Sequence, residues 1–179
     1  MDSGSALNLI KNRRSVRVFD NKKVNIEELI DLIEAAIWAP SGSNIQAWFY
    51  GIVDEEDILE KIKSFSPGLF GDPPNLIILC TDNKTAFKKG GKMGKEVVIY
   101  DIAMAAENIL LLATAKNLAT CCVKSFNKRA VNKILKLPEY VSAELIIAVG
   151  FAQRIPVAPK RKQLNQITFI NEWEGKLNE

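Results

Sequence analysis

The 179-residue chain contains no histidine. That absence removes Ser–His and Cys–His nucleophile pairs, histidine-ligated zinc and imidazole acid–base work together. An enzyme built from this sequence must use carboxylates, lysines or a cofactor that brings its own chemistry. Cysteine is nearly as scarce: Cys80, Cys121 and Cys122 are the whole supply, all in apolar surroundings. An odd number of such thiols argues against a disulfide framework and predicts a reducing compartment. Excess charge is missing too, since 24 Lys and Arg oppose 21 Asp and Glu and leave +3, too mild by itself to argue for nucleic acid. No long apolar run is present: the most apolar stretch, Ile102 to Ala115, carries Glu107 and Asn108 and is too short to cross a bilayer. The N-terminus lacks a basic region followed by an apolar one, so no signal peptide and a cytoplasmic location are expected. No repeat, low-complexity segment or linker appears, so residues 1–179 are expected to form a single domain.

What is present is ordinary globular material, 47% hydrophobic and 25% charged. Ser3 or Ser5 can cap a short first helix carrying Leu7, Leu9 and Ile10. Asn25 with Glu28 three residues on resembles a capping box, and Ile26, Leu29, Ile30, Ile33 and Ile37 then keep helical period until Pro40. Residues 48–53 read as a strand, and the acidic run Asp54 to Asp57 as the dipole-favoured first turn of the next helix rather than a metal site. Residues 76–81 form a buried strand, 96–116 a long central helix apolar on nearly every side, 120–125 a strand, and 143–151 the last strand. Between them, residues 84–95 hold five lysines and three glycines. Gly90 to Lys95 superficially resembles a phosphate loop but fails on glycine spacing and has Glu96 where Ser or Thr would hold magnesium. That stretch is expected to be a mobile, solvated loop. The order of elements is that of an α+β chain ending in an extended arm with Ile167, Phe169 and Trp173, which suits lying across a partner subunit.

Two stretches carry chemistry. In Arg13-Arg14-Ser15-Val16-Arg17, three guanidiniums and a hydroxyl within five residues suit a planar, multiply anionic ligand. If the segment is extended, Arg13, Ser15 and Arg17 share a face. The plainer alternative is a solvated basic turn leaving a helix. In the second stretch, Ala39 to Trp48, Pro40 breaks a helix and Ser41-Gly42-Ser43-Asn44 makes a tight loop with free backbone donors. Asn44 and Gln46 offer paired donors and acceptors, the complement of a carbonyl–NH–carbonyl ring edge.

With residues 106–115 and 117–126, and with Val149-Gly150-Phe151 before a basic tail, these stretches resemble the FMN-dependent nitroreductase family over essentially the whole chain. The resemblance implies a nitroreductase-like fold, with a mostly antiparallel central sheet flanked by helices and a long buried central helix. It further implies a homodimer with two FMN molecules at the interface. Arg13, Arg14 and Ser15 would hold the phosphate and ribityl chain, and Arg17 would lie near the flavin N1/O2, where a cation stabilises the reduced anion. Pro40, Ser41, Gly42, Asn44 and Gln46 would come from the other subunit. Cys122, Val123, Lys124 and Ser125 would line the ring near N5, and Arg161, with Lys160, would close on the phosphate. No side chain is expected to be catalytic and no metal is implied, since flavin exchanges the hydride or electrons. The implied reaction is ping-pong: NADH or NADPH reduces the flavin, and a nitroaromatic, quinone or similar small acceptor reoxidises it. The chain departs from the family at Ala47 (usually proline), Glu107 (usually glutamine) and Lys124 (commonly glycine), and its short 67–76 region predicts a more open pocket. The alternative is the same fold with weak or no flavin binding, acting as a binding module whose basic residues at 13–17, 84–95 and 160–162 take nucleic acid. The mild charge and the lack of interleaved aromatics argue against nucleic acid as a partner, and no membrane is expected.

Overall fold

The computed structural model describes residues 3–175 and Leu177. Its centre is a four-stranded, wholly antiparallel sheet of β1 (Trp48–Val53), β2 (Asn75–Asp82), β3 (Ala119–Val123) and β4 (Val141–Gly150), in the order β1-β2-β4-β3. Every residue of β2 is buried, because the strand lies inside the sheet and both faces are covered. Its alternation therefore feeds two cores. Ile77 and Leu79 pack beneath α2 (Ile26–Ile37) and α4 (Asn83–Ala115), whereas Leu76, Ile78 and Cys80 face Ile62 of α3 (Glu56–Ser64) and Val131 of α5 (Lys128–Ile134). Helices thus cover both faces, in the α+β arrangement expected.

The 84–95 stretch is helical, which corrects the expectation of a loop. Asp82 caps it, its carboxylate accepting from the N–H groups of Lys84 (3.0 Å) and Thr85 (2.9 Å). The glycines are used for a kink: Gly91 stands at φ 59°, ψ −145°, breaking α4 into two limbs. A Cβ on Gly94 would collide with the carbonyl oxygen of Ala86, so glycine lets the first limb fold against the second. Counted whole, α4 has 33 residues and is long and apolar enough by composition to cross a membrane. Its Ile102, Ala105, Ile109 and Ala113 are instead buried against α2 and the sheet.

Two local expectations fare differently at the N-terminal end. Asn25 precedes α2 but its side chain makes no capping bond, so the capping box is absent. The helix α1 (Ser3–Asn12) forms, yet buries nothing: Leu7 and Ile10 are exposed. Asn127 caps α5, its side chain accepting from Ala130 N at 3.1 Å. Beyond Ala152 the arm is exposed up to Glu174, with a single turn of 3₁₀ helix at Leu164–Gln166.

Candidate functional site

The arginine segment is fastened to the sheet. Ser15 pairs in parallel with Thr120 of β3, and the N–H of Val16 donates to Thr120 O at 2.9 Å. Four residues on, Phe19 pairs with Ala152, and Asp20 N donates to Phe151 O at 2.8 Å. Residues 15–20 are therefore tied to the sheet at two isolated bridges, one to β3 and one to the chain just after β4, and neighbouring side chains at 14–17 enter different hollows. Arg14 and Val16 line one hollow of about 300 Å³, between the end of α4 and the arm. Ser15 and Arg17 line another of about 310 Å³, together with Arg154, Pro156 and Val157 of the arm. Both volumes sit at the lower end of the range for small-molecule sites.

The three arginines differ in what they already hold. Arg14 Nη1 donates to the carbonyl oxygens of Lys11 and, at 2.8 Å, Arg13, so it seals the end of α1. Arg13 Nε lies 3.6 Å from Glu107 Oε1 on α4. Arg17 is exposed and has no ion pair among the described residues. Both cysteines of β3 sit within this field. Burial pushes the Cys121 thiol up, with Arg17 and Arg13 pulling it back. Desolvation, then Cys121 and Glu107, push Cys122 up to about 11 against the pull of Arg13. Neither is a ready thiolate at neutral pH, so the site offers no cysteine nucleophile.

The second stretch docks elsewhere on α4. The N–H of Gly42 donates to the buried Asp101 Oδ1 at 3.1 Å, and a Cβ on Gly42 would lie 3.1 Å from Val97 Cγ2. Ser41 Oγ accepts from Gln46 N at 3.2 Å, and Gln46 Nε2 donates to Asn44 O at 3.3 Å, so Gln46 is partly spent on its own loop. Ser43 (φ 50°), Asn44 (φ 53°) and Gln46 (φ 55°) are all left-handed. Such a concentration of strained non-glycine backbone is typical of ligand clamps. Pro40, Ser43 and Asn44 are exposed. Asp101 and Glu107 are six residues apart on one helix, about 9 Å along its axis and on different sides of it. Neither hollow beside the arginine segment includes residues of the 40–46 loop.

The strand after α4 brings Cys122 and Val123 beside the arginine segment, and Ser125 O accepts from Gly68 N at 3.0 Å. Lys124 turns away from this group: its Nζ donates to Glu144 O at 2.7 Å and lies 3.2 Å from Glu144 Oε2. Lys128 Nζ is 2.7 Å from both carboxylate oxygens. Burial pushes the Glu144 carboxyl up, but Lys128 and Lys124 outweigh it and hold its pKa below the usual value. Lys160 and Arg161 are exposed on the arm, without a hydrogen bond or ion pair among the described residues. Arg154 takes the place beside Ser15 and Arg17 instead. It was not singled out in the sequence, and no periodicity marks it. Glu107 stood out in the sequence as a departure from the family, whereas Asp101 was detectable only as a charge in the apolar part of α4.

The guanidiniums and hydroxyl of the arginine segment, with Arg154 beside them, fit a phosphorylated ligand such as FMN. A model of the nitroreductase family matches residues 10–67 and 66–151. A protein provisionally named NADH dehydrogenase/NAD(P)H nitroreductase, from Methanothermobacter thermautotrophicus, is 29% identical over 84% of this chain and 78% of its own length. The FMN reductase (NADPH) of Bacillus subtilis is 25% identical over 92% of this chain and 74% of its own. Among solved structures, a nitroreductase family protein from Clostridium difficile superposes with a TM-score of 0.81 at 26% identity, over 93% of this chain and 98% of that one.

Proposed function

The chain belongs to the nitroreductase family, and from that premise we propose that it is an FMN-dependent oxidoreductase. In this reading NADH or NADPH gives electrons to bound flavin, and a nitroaromatic, quinone or similar small acceptor removes them in a separate half-reaction. The observation that carries it is the arginine segment paired onto β3, with Ser15, Arg17 and Arg154 around one hollow. The similarity to an FMN reductase supports the choice of flavin.

When bound, FMN supplies the hydride or electron exchange, and the protein's part is position and charge. Arg13 would hold the phosphate through its Nη groups, since its Nε edge faces Glu107. Ser15 would add a hydroxyl donor in the neighbouring hollow, and Arg17, lining the same hollow, would supply positive charge to the ring. The exposed Cys122 and the backbone of 122–125 would form the floor for the ring, while Val123 beneath them is part of the core. Lys124 stays with Glu144 rather than with the ligand.

The loop at 40–46 completes the site in a homodimer, reaching the flavin of the other subunit. Trp38 is 79% exposed, Tyr100 67% and Met93 65%, on and beside the helices that carry this loop. The arm adds Ile155 at 70%, Val157 at 86% and Trp173 at 81%. Apolar exposure on this scale marks a contact surface, and a second copy of the chain is the partner this reading requires.

The test is the visible spectrum of the purified protein after incubation with excess FMN and desalting. Flavin absorption that stays with the protein and bleaches anaerobically with NADH or NADPH is the expected result, and it also identifies the donor. Retained flavin that neither nucleotide bleaches would assign another donor. A colourless protein would sink the enzyme and leave the binding-module alternative.

A further inference from the structure

Resting on the flavin reading, we propose that Glu107 is a built-in counter-anion of the phosphate site, weakening this chain's hold on FMN through the phosphate alone. Arg13 and Glu107 meet from two elements, the arginine segment and α4, and Cys122 on β3 feels the charge of both. The Arg13 side chain is 21% exposed and so largely enclosed, while that of Glu107 is 49% exposed. Burial does not force the carboxylate onto the guanidinium, since water is open to it. Of the three arginines in the segment, Arg13 is the one that faces a carboxylate: Arg14 bonds backbone carbonyls, and Arg17 has no ion pair among the described residues.

The geometry of the pair decides its effect. Glu107 meets the Nε edge, and the 3.6 Å separation is an ion pair rather than a hydrogen bond. The Nη groups have no partner among the described residues, so a phosphate can bind there without expelling Glu107. It then meets a guanidinium whose charge is partly neutralised, with a carboxylate close behind it. Both effects oppose a dianion and neither touches a neutral ligand. Glutamine at this position keeps the shape and an amide oxygen for Arg13 Nε, and removes only the charge.

The experiment compares the flavin-stripped wild-type chain with Glu107→Gln, titrated with FMN and, separately, with riboflavin, which lacks the phosphate. Quenching of flavin fluorescence is read at low and at high salt. Glu107→Gln should bind FMN about two- to fivefold tighter at low salt, the range of a partly exposed ion pair. The gain should shrink at high salt, and riboflavin affinity should not change. Equal FMN affinities would overturn the proposal, as would weaker FMN binding in the variant, which would make Glu107 a support for Arg13. A matching change with riboflavin would mean that Glu107 acts on the ring or the fold. If neither protein binds either flavin, the oxidoreductase reading falls, and the counter-anion with it.

Discussion

Replacing Arg13 with alanine tests the proposed flavin binding separately from folding, because its ion pair with Glu107 is partly exposed. A hydrogen bond to a charged group is worth roughly 1.5–3 kcal/mol, so losing the Arg13–phosphate contact should weaken FMN by about tenfold to about 150-fold. Two features of the site push toward the larger figure. Arg13 is only 21% exposed, so water replaces it poorly, and its loss leaves Glu107 beside the phosphate with no counter-charge. The cost to the fold is small by comparison. The Arg13–Glu107 pair is partly exposed and contributes at most about 1 kcal/mol, which in a chain of this size moves Tm by about 2–4 °C. The assay is a fluorescence titration of both proteins with FMN and riboflavin, beside a thermal melt and a sizing run. The expected outcome is a large loss for FMN, a small one for riboflavin, and an unchanged oligomeric state. An unchanged FMN affinity, or an equal loss for both flavins, would remove Arg13 from the phosphate site and refute the placement of the whole segment.

Two further outcomes are expected. Trp38→Glu places a charge on an exposed ring at the end of α2, so the variant should run as a monomer, keep its far-UV circular dichroism and lose retained flavin; a dimer that still holds FMN would refute the interface. The second concerns Glu144, whose pKa is lower in the folded chain than its ordinary value of 4.5. The stability it contributes is therefore present above about pH 4.5 and is lost as pH falls through the folded value. The thermal stability difference between wild type and Glu144→Gln should accordingly be constant near neutrality and shrink in acid. A pH-independent difference would mean that Lys124 and Lys128 do not hold the carboxylate in solution.

Both halves of the candidate site were legible in the linear sequence, because each is local. Three arginines and a serine within five residues, and Pro40 ahead of Ser-Gly-Ser-Asn, declare their chemistry without tertiary help. The strands were equally plain, since β-branched runs such as 76–81 have one way to bury both faces. The lysine-rich 84–95 stretch was misread because glycine and lysine composition argued for a loop. The Asp82 cap and the packing of the two limbs at Gly94 outweigh that local preference. The Asn25 capping box failed for the converse reason: the residue spacing was right, but the side chain makes no bond.

The sequence by itself determined the absence of histidine chemistry, the cationic character of residues 13–17 and the order of the strands, because these follow from residue identity and periodicity. Only the tertiary structure decided which charges meet. Glu107 is 94 positions from Arg13, Lys124 is 20 from Glu144, and Arg154 lies 137 beyond Arg17, so no spacing rule could pair them. Folding α4 across the sheet set a carboxylate against one arginine, and the return of β4 set a fourth arginine beside Ser15. Electrostatic interaction depends on distance in space, and chain separation says nothing about that distance until the backbone has been packed.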